Sequence, residues 1–559
     1  MGSTSSLKIV IVGGVAGGMS AATRARRLNE SSSITVFEKG PYVSYANCGI
    51  PYALGGVIKD DDTLILQSPK DFKDRFNIDV HVNTEVLAID REKGLVSMHA
   101  IGSKLVKEFS YDKLILSQGA EPFCPPIEGI DLPNVFTLHT IPDLQDIKAY
   151  ISHHECTQVS VIGGGFIGLE AAEALHCLGL EVTIIEYAPH VFPSLDTDMA
   201  EIVHTEIKRH NLKLLLNAKV EKIEAAHKDV PSRILLGNGT AVLTHLVIVA
   251  VGIRARTMLA KQAGLLVGKT GVSVNSFLQT SDPNIYAVGD MIESEHRIAD
   301  RPLQLALAGP ANRQGRLAAD NIFGRQIKYR GNVGTSACKV LDLTISSVGS
   351  SVKALRDMAY DPMWITVHPP DHAAYYPGAH AMTLKVAFER ESGRLLGAQA
   401  IGAASVVKRI DVLSTAMQAG MTIFDLEHLE LAYAPPFNSA KDPVNMAGFV
   451  GSNVLRGDVI IIHGENLQIE QDGIQIVDVR STEEFSHGHI RTAINIPLNK
   501  LRENAGMLRQ RQGIVVYCQV GYRGYIAYRI LTQLGFDVVN LDGGYKSIVE
   551  GGFKHICTG

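Results

Sequence analysis

Two of the chain's seven cysteines stand in settings that can do chemistry. Cys48 lies in FEKGPYVSYANCGIPY, ten residues after Glu38. A reductase with a redox pair needs a second cysteine about five residues away, and Val43 and Ala53 occupy those places. Cys48 therefore needs a sulfur from outside. A thiol of ordinary pKa near 8.5 is only about 3% thiolate at pH 7, whereas one lowered to about 6 is roughly 90% ionised. The site is expected to lower it. Cys518 follows the apolar strand IVVY and opens the loop CQVGYRG before a helix. Successive N–H groups and the helix dipole there can cradle a thiolate or persulfide, with Arg523 closing the loop. Cysteine loops that hold phosphate are slightly longer, so this short one favours sulfur. Cys124, Cys156, Cys177, Cys338 and Cys557 have no motif and read as incidental thiols.

The elements that position Cys48 begin with LKIVIVGGVAGGMSAATRARRLNESSSITVFEK, read as strand, glycine turn, helix over about 16–29 and a second strand ending at Glu38. TQVSVIGGGFIGLEAAEALHCLGLEVTIIE repeats the pattern from Val159 to Glu186, so two dinucleotides are implied. Such turns aim backbone N–H groups and a helix dipole at a pyrophosphate. Gly163, Gly165 and Gly168 fit G-x-G-x-x-G fully, with Phe166 and Ile167 opening the helix and Glu186 placed for ribose hydroxyls. No Arg follows Glu186, which favours NADH over NADPH. The first turn has Gly13, Gly14, Ala16, Gly17 and Gly18, with Val15 where the second fingerprint glycine should stand; Glu38, followed by Lys39, restores the ribose element. TSDPNIYAVGDMI ends a short strand at Gly289 and Asp290, where the carboxylate can reach a ribityl chain, and Gly252 closes a comparable strand.

The chain has 559 residues, 46% hydrophobic and 20% charged, enough for three to five domains. The 53 basic and 58 acidic residues nearly balance, so no nucleic-acid or anionic-membrane partner is expected. MGSTSS leads into a strand without a targeting pattern and no run of 18 apolar residues occurs, so a cytoplasmic location is expected. An odd cysteine count without C-x-x-C argues against a disulfide framework and a zinc site. His153-His154 and Asp60–Asp62 read as solvated loops, and no metal is expected.

GGVAGG, the S-x-A-N-C-G-x-P-Y stretch, GGGFIGLE, TSDPNIYAVGD and LAYAPPFNSAKDPVN together resemble the pyridine nucleotide-disulfide oxidoreductase superfamily, specifically its coenzyme A disulfide reductase branch. IVDVR, GHI and CQVGYR resemble a rhodanese domain. The whole is similar to fused coenzyme A disulfide reductase–rhodanese proteins, which include persulfide and polysulfide reductases. The resemblance implies an α/β fold: an FAD domain in two parts (1–150 and 279–330), a NAD domain (151–278), an α+β dimerisation domain (331–450), a linker (451–465) and a rhodanese domain (466–559). It implies a homodimer using FAD, NADH or NADPH, and coenzyme A. Cys48 would cycle through a mixed disulfide with coenzyme A. Ser20, Arg24, Arg27, Ser44, Asn47, Arg75, Asn312 and Lys441 match coenzyme A contacts. Tyr433 and Tyr375, the latter ambiguous with Tyr376, match tyrosines that the other subunit places near the sulfur. Cys518 would carry sulfane sulfur over a short flexible linker, with Asp478 and Arg480 as support. Alternatives are a dedicated coenzyme A disulfide reductase with an independent sulfurtransferase, or an NADH oxidase or peroxidase cycling Cys48 through a sulfenic acid.

Overall fold

The structure is a computed structural model that describes residues 6–225, 231–298, 301–469 and 473–558. Most of the leading MGSTSS stretch lies outside the described residues. The chain divides into two compact units, Met1–Tyr187 with Ala218–Asn332, and Ala188–Asn217 with Val333–Gly559.

In the first unit the strand Lys8–Val12 lies between Ser33–Phe37 and Lys113–Leu116 in parallel register, and Asp79–His81 and Ile285–Ala287 extend the two edges. Ile9 to Val12 and Leu114 to Leu116 are buried. Parallel strands covered on both faces read as continuous apolar runs rather than alternating ones. The helix Ala16–Leu28 packs on Ala308–Ile322 at very close range, since a side chain on Gly315 would lie 2.0 Å from the Gly17 carbonyl oxygen. A second parallel layer sets Gln158–Ile162 between Glu181–Ile185 and Leu246–Val249.

The second unit holds an antiparallel sheet ordered Ser336–Val340, Leu343–Gly349, Leu395–Gly402, Met382–Glu389, Pro362–Val367, backed by the helix Val406–Ala419. Residues 188–217, expected inside the NAD domain, also make contacts with this sheet. Asp196 accepts from the backbone of Val352 and Lys353 and from Gln399 Nε2 at 2.8 Å, and Lys385 Nζ reaches both Asp198 carboxylate oxygens at 2.9 Å.

The expected linker 451–465 is largely structured. The helix Pro443–Leu455 runs into it, and Ile461–Ile462 pairs with Val538–Leu541 as an edge of a parallel sheet that continues through Gly513–Tyr517, Ile474–Asp478 and Ile494–Asn495. That smaller α/β layer is fastened to the antiparallel sheet. Thr366 N donates to Asp542 at 3.1 Å, and His368, held neutral by burial that pushes it down to about 3, bridges Thr383 and Ser547. Trp364 stacks on His463 at 3.9 Å. His153 ends a helix rather than sitting in a loop, and His154 caps it.

Candidate active site

Both glycine turns have the geometry that a pyrophosphate requires. Gly13 (φ +105°) and Gly163 (φ +107°) are left-handed, and a Cβ there would lie 2.1 and 2.4 Å from the carbonyl oxygens of Ser117 and Ala250. Gly165, at the N-terminal end of the helix Phe166–Cys177, faces open space, where a side chain would meet no protein atom. Glu38 accepts from the N–H groups of Gly14 and Gly40 at 2.7 Å, and Glu186 from Gly164 at 2.6 Å. Each acid is thus locked beside its turn. Lys39 pairs with Glu85 at 2.9 Å. Gly289 (φ +79°) is held by Gln314 and leads to Asp290, whose carboxyl burial pushes up to about 6; Gly252 also takes positive φ.

The loop bearing Cys48 hangs from the first turn. Ser44, in left-handed backbone at φ +49°, donates its N–H to the Gly14 carbonyl at 2.8 Å, and Asn47 Oδ1 accepts from Cys48 N at 3.1 Å. After Cys48 the helix Ile50–Leu54 packs on Phe166–Cys177, with Gly55 so close to Ala174 that a Cβ would lie 2.9 Å from its Cα. Tyr52 Oη donates to Glu170 Oε1 at 3.2 Å across this junction. Sequence reasoning used the glycines of GGGFIGLE and passed over Glu170, which the motif itself displays.

Cys48 is exposed, yet the protein packed around its sulfur, followed by the charges of Glu170 and Asp290, holds the thiol above its ordinary value. This reverses the expectation of a lowered pKa within one subunit. The side chains acting on the sulfur are carboxylates, which disfavour a thiolate; only the Cys48 backbone N–H favours it. Glu170→Gln is accordingly expected to shift the pH midpoint of Cys48 alkylation by iodoacetamide downward. An unchanged or raised midpoint would remove Glu170 from the site's electrostatics.

The residues matched to coenzyme A contacts separate into groups. Ser20 Oγ donates to Asn312 Oδ1 at 2.5 Å across the two packed helices. Arg24, one turn from Ser20, holds the buried Asp320 through its Nε and Nη2 at 3.0 and 2.7 Å, an acid that Arg325 also reaches at 3.3 Å. Arg27 and Arg75 are exposed on different helices, leaving them as the uncommitted cations among the candidates of this unit. Lys441 is exposed in the second unit. There Tyr375 Oη and Tyr433 Oη stand 2.8 Å apart, with 76% and 48% of each residue exposed. Tyr376 instead meets His372 edge-on. The tyrosine that pairs with Tyr433 is Tyr375.

Cys518 is buried at the end of Gly513–Tyr517, and Gly521 (φ +94°) turns the chain into the helix Tyr522–Gln533. Tyr545 N and Lys546 N donate to the carbonyls of Cys518 and Gln519 at 2.8 and 3.0 Å. Gly544 must be glycine, for a Cβ would lie 2.4 Å from the Cys518 oxygen. Arg523 forms a two-pronged bond to Glu484 at 2.7 and 2.6 Å, which pulls that carboxyl down to about 2. Glu484 and then the Cys518 sulfur raise Arg523 in turn. Glu484 also accepts from Ser481 N as a capping box, an S-x-x-E signal that the sequence displays and that was not read as part of the site. The buried Asp478–Arg480 pair supports the loop, Arg480 donating to Gln519 Oε1 at 3.0 Å and to the Gly488 carbonyl at 2.6 Å.

The model of the pyridine nucleotide-disulphide oxidoreductase family matches residues 7–315, that family's dimerisation domain matches 335–443, and a rhodanese-like domain matches 465–550. The chain belongs to the pyridine nucleotide-disulphide oxidoreductase family and carries a rhodanese-like domain at its C-terminal end. It is 40% identical to reduced CoADR-RHD of Bacillus anthracis, with a TM-score of 0.97 and all of both chains covered. It is 37% identical to an NAD(P)H coenzyme A polysulfide/persulfide reductase of Pyrococcus horikoshii, over 79% of this chain and 98% of that protein. A protein named NADH oxidase, from Methanocaldococcus jannaschii, is 35% identical over 79% of this chain and 98% of its own length. Among the described residues, no helix is long and apolar enough to cross a membrane.

Proposed function

We propose that the chain is an FAD-dependent NADH reductase of coenzyme A persulfide, polysulfide and coenzyme A disulfide, working as a homodimer. Cys48 is its single redox cysteine and Cys518 a carrier of sulfane sulfur. The observation that carries the reading is an exposed Cys48 hung from the first glycine turn, with no other cysteine near it in sequence, in a chain that also folds a backbone loop around the buried Cys518. The relatives named for coenzyme A persulfide reduction support the substrate class.

The balance is NADH + H⁺ + RS–SR giving NAD⁺ and two RSH; a persulfide gives NAD⁺, RSH and hydrogen sulfide. Residues of the Gly13 turn with Glu38 and Asp290 would hold FAD, and those of the Gly163 turn with Glu186 would hold NADH. A flavin there supplies the two-electron carrier between nicotinamide and sulfur. Cys48 attacks the sulfur bonded to coenzyme A, forming a mixed disulfide with coenzyme A and expelling hydrosulfide from a persulfide or a coenzyme A thiolate from the disulfide. The protein around Cys48 disfavours a second negative charge, so protonation of the leaving thiolate must come from elsewhere. The exposed Tyr375–Tyr433 pair of a second copy supplies hydroxyl donors, which accounts for two phenols hydrogen-bonded to each other at a surface. Arg27, Arg75 and Lys441 remain as cations for the phosphates of coenzyme A.

Steady-state NADH oxidation with coenzyme A disulfide, a coenzyme A persulfide and dioxygen tests this assignment. Sulfur substrates should give the higher kcat/KM; dioxygen outrunning both would favour the oxidase reading that one relative's name raises. In the same assay NADH should exceed NADPH, because Glu186 meets the 2′-phosphate with like charge. A higher kcat/KM for NADPH would contradict the role given to Glu186.

A further inference from the structure

The two tyrosines sit on loops far apart in sequence, and both loops lead back to one side chain. Arg409, on the helix Val406–Ala419, is 0% exposed. Its Nη2 donates to the Asp371 carbonyl at 2.7 Å, four residues before Tyr375, and to Asn438 Oδ1 at 2.9 Å, five residues after Tyr433. Asn438, also 0% exposed, completes the junction. Its Nδ2 donates to the carbonyl of Ala432, next to Tyr433, at 2.9 Å, and its carbonyl accepts from Ala373 N at 3.1 Å. The same guanidinium lies 3.2 Å from Asp442, beside Lys441. A buried guanidinium is costly unless its donors are met; here Nη2 is met by the roots of the two tyrosine loops and Nη1 by the Ser405 carbonyl at 3.1 Å, while Nε has no hydrogen-bond partner among the described residues.

We infer that Arg409, acting through Asn438, is a positioning residue for the Tyr375–Tyr433 pair, setting the 2.8 Å separation of the two hydroxyls. This rests on the proposed role of that pair toward the sulfur of a second copy. Neither Arg409 nor Asn438 touches solvent or substrate, so their effect must pass through the loops. The fork matters as well as the charge: a lysine at 409 keeps the charge but presents one point donor where the planar guanidinium reaches several groups at once. Misplacement of a donor by about 1 Å costs up to about 100-fold in rate.

The test uses full-length holoenzyme with NADH and coenzyme A disulfide. Arg409→Lys and Asn438→Ala are each expected to lower kcat by about 10- to 100-fold with KM within about two-fold. The rate at which NADH bleaches the flavin absorbance should stay at the wild-type value. Asn438→Ala combined with Tyr433→Phe should be no slower than Tyr433→Phe alone, because both changes remove the same contribution. A second readout does not depend on turnover. The hydrogen bond to Tyr433 holds the Tyr375 phenol above its ordinary pKa, so nitration of Tyr375 by tetranitromethane should begin at lower pH in Asn438→Ala. Unchanged kcat in both single variants, or multiplicative loss in the double variant, overturns the inference. If Arg409→Lys fails to accumulate, Asn438→Ala decides. Should Tyr433→Phe turn over like wild type, the role of the pair falls instead, and the nitration profile alone decides whether Arg409 and Asn438 position it.

Discussion

Cys48→Ser is expected to leave a yellow, NADH-bleachable protein that reduces neither coenzyme A disulfide nor persulfide, with turnover lower by at least ~1,000-fold. The reasoning is topological as much as chemical. Ser44 and the Gly14 carbonyl hang the Cys48 loop directly on the first turn, while the helix after Cys48 packs on the one after the second turn. No other cysteine lies near it in sequence. A hydroxyl at position 48 keeps this packing and removes the sulfur. Stopped-flow bleaching at the wild-type rate together with lost steady-state turnover is the expected pair of results. Retained disulfide reduction in Cys48→Ser would mean that electrons leave by another path.

The second large effect concerns Cys518. Cys518→Ser should abolish transfer of sulfane sulfur to an external thiol or cyanide and sharply slow turnover of polysulfide, while sparing small persulfides that reach Cys48 directly. The sequence suggested a flexible tether delivering Cys518 at high effective concentration, and the structure replaces that picture. Only the short stretch 456–460 separates the helix ending at Leu455 from the strand Ile461–Ile462, and Thr366, His368 and Trp364 fasten the rhodanese-like layer to the antiparallel sheet. A layer fastened in this way is held to its own unit rather than hung on a flexible tether. Parallel assays of sulfur transfer and of NADH oxidation with small and polymeric donors separate the roles. Equal slowing of every donor, or of none, would contradict this division.

Elements whose signal is local were legible in the sequence. The two strand–turn–helix units fold with the helices Ala16–Leu28 and Phe166–Cys177 where the glycines place them, because positive φ and close carbonyl approach demand glycine at Gly13 and Gly163. The Cys518 loop is equally local. What escaped depends on pairings remote in sequence. Arg24 matched a coenzyme A contact, but it also binds Asp320, 296 residues on, an acid it shares with Arg325. The rise in the Cys48 thiol comes first from burial of its sulfur and then from Glu170 and Asp290, far along the chain. The choice between Tyr375 and Tyr376 depends on Tyr433, 58 residues beyond Tyr375. The segment 188–217 carries a nucleotide-domain sequence context, yet Asp196 and Asp198 bind Val352, Lys353 and Lys385 of the second unit.

The claim at the centre is that Cys48 completes its redox pair with the thiol of coenzyme A. Mass analysis of the purified protein, never exposed to reductant and digested under alkylating conditions, tests it directly. The account predicts coenzyme A in disulfide linkage on the peptide bearing Cys48, released by dithiothreitol and absent from Cys48→Ser. A sulfenic or sulfinic acid at Cys48, or a disulfide from Cys48 to another cysteine of the chain, would contradict it.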